Sequence, residues 1–133
     1  MPPYLKRAGG LVWFDFAALC GGPRSYADYV DLARRFHTVI LSGVPRMSPK
    51  NADSARRFTW LVDVFYDDRV KLVVGAEAQP DDLFVGSENA GGDTKSALAE
   101  FARTASRLIE MQSVDYLQAE RRMESGKVQG VPT

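Results

Sequence analysis

Residues 38–74, TVILSGVPRMSPKNADSARRFTWLVDVFYDDRVKLVV, hold two short apolar runs with one amphipathic segment between them. Thr38-Val39-Ile40-Leu41 is β-branched and apolar, which predicts a buried strand near 38–42, stopped by Gly43 and Pro45. Ser48-Pro49 opens a helix near 49–67, because proline at the first helical position lacks only an N–H that would have had no partner. Ala55, Phe58, Thr59, Val62, Phe65 and Tyr66 recur at helical spacing as its apolar stripe, and Arg56, Arg57, Asp63 and Asp67 fall off that stripe. Val70-Lys71-Leu72-Val73-Val74 predicts a second buried strand near 70–74, ended by Gly75. Strand, helix and strand at these lengths make a βαβ unit, with parallel strands and a right-handed crossover. The fold class is α/β.

Reading outward toward the N-terminus, Leu11-Val12-Trp13-Phe14-Asp15-Phe16 predicts a strand near 12–16, behind an irregular lead-in over 1–10. Gly21-Gly22-Pro23 breaks it. Ser25 and Asp28 have the spacing of a capping box, which starts a helix near 25–35 with Tyr29, Leu32, Ala33 and Phe36 on one face. Toward the C-terminus, Pro80–Phe84 reads as a single helical turn and 85–96, VGSENAGGDTKS, as a polar, Gly-rich loop. A helix near 96–110 carries Leu98, Phe101, Ala102, Ala105, Leu108 and Ile109. Another amphipathic segment starts near Val114, and 121–133 reads as a disordered tail. Three helices are thin cover for three parallel strands, so exposed apolar surface is expected.

The 133 residues fit one domain, and 45% hydrophobic content is enough for a real core. Basic and acidic residues balance at 17 each, which argues against nucleic acid or an anionic membrane as partner. Cys20 and His37 stand alone in type, which excludes a disulfide framework and a zinc site and suits an intracellular setting. No apolar run is long enough to span a bilayer. Lys6 and Arg7 before an apolar stretch ending at Cys20 imitate a lipoprotein signal, but Asp15 and bulky Leu19 spoil it.

Nucleotide hydrolysis needs a loop of backbone N–H groups around the phosphates, in the pattern G-x-x-x-x-G-K-[ST]. Gly86 and Gly91 have the right separation, but Gly92-Asp93 follows where Lys is required, and Asp93 repels phosphate. His37 has no nucleophile at a readable spacing and reads as structural. Cys20 reads as a packed thiol, and the pairs Asp67-Asp68 and Asp81-Asp82 as solvated turn residues. Arg56, Arg57, Arg103 and Arg107 are the candidates for contacting an anion, because guanidinium groups suit phosphate. The plainer reading pairs Asp53 with Arg56 or Arg57, and Glu100 with Arg103 or Arg107.

Three blocks carry a specific resemblance: FDFAALCGGPRSYADYVDLARRFHTVILSGVP, ARRFTWLVDVFYDDRVKLVVGAEAQPDDLF and FARTASRLIEMQSVDYL. In this order they resemble the ZapE family of bacterial cell-division ATPases and its AFG-type mitochondrial relatives. The resemblance covers about 11–120, as the C-terminal part of an ATPase domain. It implies a partial P-loop NTPase-like sheet of the AAA+ type, with ATP and magnesium as cofactors of the parent family. It implies work on protein clients at the cytoplasmic side of the division site, with the tubulin-like FtsZ as partner. The family's phosphate loop and magnesium-binding acids have no counterpart here, so a fragment inactive alone, completed by an N-terminal half, is the expectation. Arg56, Arg57, Arg103 and Arg107 match the family's arginine blocks, which implies a sensor or finger arginine among them. Gly43 and Gly75 stand where the family resemblance would lead one to expect more polar residues. The competing expectation is an independent interaction module that forms a homo-oligomer or binds a partner through exposed sheet or apolar surface.

Overall fold

A computed structural model describes residues 2–85 and 92–112. Four strands form one sheet in chain order: β1 (Lys6–Ala8), β2 (Leu11–Asp15), β3 (Thr38–Val44) and β4 (Lys71–Ala76). β2, β3 and β4 are mutually parallel, in the register Val12–Val39–Leu72 and Trp13–Ile40–Val73. Between them lie α1 (Phe16–Cys20), α2 (Tyr26–Arg35) and α3 (Ala52–Asp67), and α4 (Gly92–Glu110) follows β4. The βαβ units expected from the two apolar runs are thus present.

Several details differ from the sequence expectations. β4, expected as a buried strand ended by Gly75, runs through Gly75 to Ala76, and none of its residues is fully buried, because it lies at the sheet edge. The lead-in is not wholly irregular, because Lys6–Ala8 pairs antiparallel with β2 across the Gly9-Gly10 turn, where Gly9 has φ +59°. The strand near 12–16 stops at Asp15, and Phe16 instead opens the short α1. Gly43 does not stop β3. It takes φ +73° at a register irregularity, and the strand runs on to buried Val44. The left-handed backbone favours glycine here, and a β-carbon on Gly43, 2.7 Å from Asp15 Oδ1, would also make the Asp15 carboxylate shift. Last, α4 already begins at Gly92, so 92–96 are helix and not loop. Residues 86–91, the segment after Val114 and the tail lie outside the described residues.

The capping box holds: Ser25 N–H donates to Asp28 Oδ2 at 2.8 Å, and Tyr29, Leu32, Ala33 and Phe36 are all buried. Before α3, Pro49–Asn51 is a 3-10 turn capped by Ser48, whose Oγ accepts from Lys50 N–H at 3.3 Å. α3 buries Ala55, Phe58, Val62 and Phe65 as expected, and Leu61 and Val64 widen the stripe. On α4 the stripe is rotated: Phe101, Thr104, Ala105 and Leu108 are buried, as is Met111 just past its end, whereas Ala102 is exposed and Ile109 is 46% exposed, and the Leu98 side chain lies outside what is described. Thr104 is tolerated inside because its hydroxyl donates to Glu100 O at 3.3 Å.

α3 packs against α1, α2 and α4. Phe58 lies at that junction, fully buried, with its ring 6.1 Å from Phe16 of α1 and 6.1 Å from Phe101 of α4. Phe84 continues the row at 5.2 Å from Phe101. The helices cover one sheet face, where Val12, Phe14, Val39 and Leu41 are fully buried. On the other face Leu11, Trp13 and Ile40 are only partly buried, and Val73 is 55% exposed. Phe58→Ala is expected to cost about 3–5 kcal/mol, because it empties the site where three helices meet. Urea denaturation followed by far-UV circular dichroism measures it, and a cost under ~1 kcal/mol would contradict the packing.

Candidate functional site

Ligands of open α/β sheets gather beyond the carboxyl ends of the strands. A cleft of about 650 Å³ lies between segments that follow β2 and β3 in the chain, walled by the Gly21-Gly22-Pro23 turn on one side and by Lys50, Asn51, Asp53 and Arg57 on the other. The turn sits between α1 and α2, and the opposite wall is the start of α3. Arg57 Nη1 donates to Cys20 O at 3.3 Å, so the guanidinium is anchored at one corner of the cleft. Lys50 adds a second positive charge and Asp53 a negative one.

The four candidate arginines are not one cluster. Arg56 faces solvent, 61% exposed, and reaches Asp53 at 3.8 Å. Arg57 lines the cleft. Arg103 is exposed on α4, with no ion pair among the described residues. Arg107 turns inward instead: it pairs with Asp63 of α3 and lies over the Tyr66 ring at 5.4 Å. The acid that holds it is Asp63, not Glu100, because α4 packs flat on α3. Arg103 and Arg107, one turn apart, therefore do different things.

The other chemistry-bearing residues have structural uses. Tyr29 Oη donates to Leu19 O at 2.7 Å within the core. Burial pushes the Cys20 thiol up to about 12, against the opposing pull of Tyr29 and Arg57, so it is no thiolate nucleophile at neutral pH. Burial likewise raises the Tyr29 phenol. The Tyr66 phenol is raised first by its hydrogen bond to Glu110. His37 is exposed, with Nδ1 2.8 Å from Thr38 Oγ1, and its ring fills the space where Gly10 lacks a side chain. Asp81 and Asp82 are exposed near Arg46. Among the described residues no group of three or more His, Cys, Asp or Glu side chains is placed to hold a metal. No helix there is long and apolar enough to cross a membrane.

A mostly parallel sheet with helices packed on one face, and a cleft between the segments that follow two of its strands, defines an α/β protein consistent with part of a P-loop NTPase-like fold. Comparison with known proteins makes the assignment specific: the chain belongs to the AFG1-like ATPase family, whose pattern matches residues 4–120. It is 45% identical over 106 residues to the cell division protein ZapE of Escherichia coli strain K12, covering 80% of this chain and 26% of that one. It is 33% identical over 135 residues to lactation elevated protein 1 homolog B of Danio rerio, covering 84% of this chain and 27% of that one. The chain thus spans about a quarter of the length of these curated relatives. No solved structure matches.

The arginine cleft was half legible in sequence. Arg57 stands among the anion candidates and Gly21-Gly22 reads as a break, while Lys50 carries no signal of its own, and bringing them together takes the fold. The buried thiol gives a pH test. An unfolded Cys20 ionises near 9.0 and the folded one near 12. Between those values the folded state keeps a proton that the unfolded state has lost, so stability falls as pH rises. Urea titrations across pH 8–12 are expected to show this decline and to show a shallower one in Cys20→Ala.

Proposed function

We propose that this chain acts as the C-terminal portion of a ZapE/AFG1-like ATPase, whose parent couples ATP hydrolysis to work on protein clients in cell division. The observation that carries the reading is the family match over 4–120, in a chain that spans a quarter of its relatives and contains no G-x-x-x-x-G-K-[ST] loop. Without such a loop the chain lacks the usual cradle for the phosphates, and among the described residues no acidic cluster is placed to hold magnesium. In this reading the chain does not hydrolyse ATP alone. It completes a site whose phosphate loop and magnesium acids come from an N-terminal half of the ATPase, and it works in the cytoplasm. A tubulin-like division protein of the FtsZ type is a candidate client.

Within that site Arg57 is the strongest candidate for contacting nucleotide. It is anchored yet lines an open cleft. Arg103 and Arg56, the latter paired with Asp53 at 3.8 Å, are exposed and could be reached by an anion on an apposed surface. Arg107 already neutralises Asp63, so moving it to a phosphate would strand a half-buried carboxylate. A guanidinium at the transferring phosphoryl group stabilises charge that develops only in the transition state.

Calorimetry with ATP–magnesium and a phosphate-release assay test the reading. The chain alone is expected to be silent in both, and turnover is expected when the N-terminal portion of a close relative is added. Micromolar binding with turnover by the chain alone would overturn it. In the reconstituted enzyme Arg57→Ala is expected to lower kcat by roughly 10³-fold, whereas Arg107→Ala acts mainly through stability. A second reading, an interaction module that forms homo-oligomers, draws on the uncovered sheet face with Val73 at 55% exposure. It predicts a concentration-dependent dimer in light scattering that Val73→Lys dissociates.

A further inference from the structure

The two edges of the sheet are built differently. β1 closes one side with three residues, two of them the exposed bases Lys6 and Arg7, and a short, charged strand of this kind resists pairing with another chain. β4 closes the other side with six residues, Lys71–Ala76, in which Lys71 is the only charge, and no described strand lies beyond it. Its backbone alternation is fixed at both ends. Lys71 N–H donates to His37 O at 2.9 Å and Glu77 N–H to Val44 O at 3.0 Å, so Lys71, Val73, Gly75 and Glu77 turn their peptide groups toward β3. The N–H and C=O groups of Leu72, Val74 and Ala76 therefore face outward, with no strand partner among the described residues. A groove of about 500 Å³ follows this edge, and its lining includes Leu72, Val74, Ala76, Leu108 and Met111.

The strand is complementary to itself. An antiparallel copy related by a twofold axis at Val74 sets Val74 against Val74 and Leu72 against Ala76, so each outward N–H and C=O of these three residues meets a partner. No other axis pairs the three among themselves. The same axis sets Lys71 opposite Glu77 at both ends of the pairing, and Val73 opposite Gly75. These are the close, non-hydrogen-bonded positions, where opposite charges attract. Gly75 has no side chain there, which leaves room for Val73, 55% exposed in the single chain. Lys71 and Glu77 are both exposed, and neither has an ion pair among the described residues. Within one chain they stand about 20 Å apart along the strand, too far to meet.

We propose that β4 pairs edge to edge with β4 of a second copy, antiparallel about Val74, so that one continuous sheet runs across a dimer. The Lys71–Glu77 contacts set the register, and the grooves of the two copies meet at Val74. This contact uses the edge of the strand. It is distinct from packing through the uncovered sheet face, which would cover the half-buried Trp13 and Ile40 as well.

Sedimentation velocity of the whole 133-residue chain tests this. A concentration-dependent dimer is expected. Lys71→Glu and Glu77→Lys each place like charges opposite one another at both ends, and each is expected to weaken the dimer by at least about tenfold. An equimolar mixture of the two variants is expected to restore dimerisation, because the mixed pair again sets opposite charges together at both ends. Val74→Pro removes an outward N–H and leaves the bonds to β3 intact, so it is expected to abolish the dimer, and it serves alone if either charge variant does not fold. A chain that is monomeric at every concentration overturns the proposal, as does a mixture of the charge variants that stays monomeric. A dimer that survives Val74→Pro overturns it too, and loss of that dimer in Val73→Lys would place the contact on the sheet face instead.

Discussion

Burial of Phe58 is the contact on which the rest of the structure depends. Its ring meets Phe16 and Phe101, so α1, α3 and α4 share one aromatic seam. α1 follows β2 directly, α3 joins β3 to β4, and α4 comes from beyond β4. One side chain thus ties together segments whose strands lie at different positions in the sheet. An aromatic core of this kind adds a geometric preference to plain area burial, because rings favour offset or tilted neighbours. The tilt of Phe16 and the stacking of Phe101 fix how the helices sit on α3. With that fixed, Asp63 and Tyr66 on α3 meet Arg107 on α4 two turns farther along.

The same seam explains why the sheet is lopsided. Successive strands are added in one direction, and each crossover of the same hand returns on the same side. The helices therefore accumulate on the face of Val12, Phe14, Val39 and Leu41. A protein built of such units with both faces covered must reverse the direction of strand addition somewhere. No reversal occurs among the described residues, where the order is β1-β2-β3-β4 throughout. The partial exposure of Trp13 and Ile40 follows from topology and needs no unusual residue. Trp13 manages its position by donating Nε1–H to Ser42 Oγ at 2.8 Å, which joins β2 to β3 on the uncovered side.

Much of this was legible in the amino-acid sequence where the signal was periodic. The strands near 38 and 70, the capping box at Ser25 and Asp28, and the buried set on α2 rest on local chemistry that tertiary contacts only reinforce. The misses fall where local signals compete with distant ones. Gly43 reads as a breaker because glycine usually is one, but here it serves a bulge beside Asp15, a residue 28 positions earlier that no local window contains. Lys6–Ala8 is three residues of poor strand formers, held only because β2 offers a partner. The rotation of the α4 stripe has the same origin: Thr104 looks polar in sequence, and only Thr59 across the helix contact and its own turn make it a core residue. Arg56, Arg57, Arg103 and Arg107 were visible as residues, but their surroundings were not, since partners such as Asp63 and Cys20 are set by packing.

Those surroundings decide what each arginine can do. A guanidinium serves a phosphoryl group only if its charge is available when the ligand arrives. Arg107 is committed twice, to a carboxylate and to an aromatic face. Among the described residues Arg57 makes one hydrogen bond, to the carbonyl of Cys20, and no ion pair, so its side chain is held in place without a paired carboxylate. The carbonyl itself is presented by the end of α1 just before Gly21, where a β-carbon would collide with the backbone of Ala17 at 2.8 Å. The Gly21 turn, the short α1 and the first turns of α3 thus work together to orient one positive group toward an open cleft. A single anchored arginine at the cleft is suited to a compact anion presented by another surface.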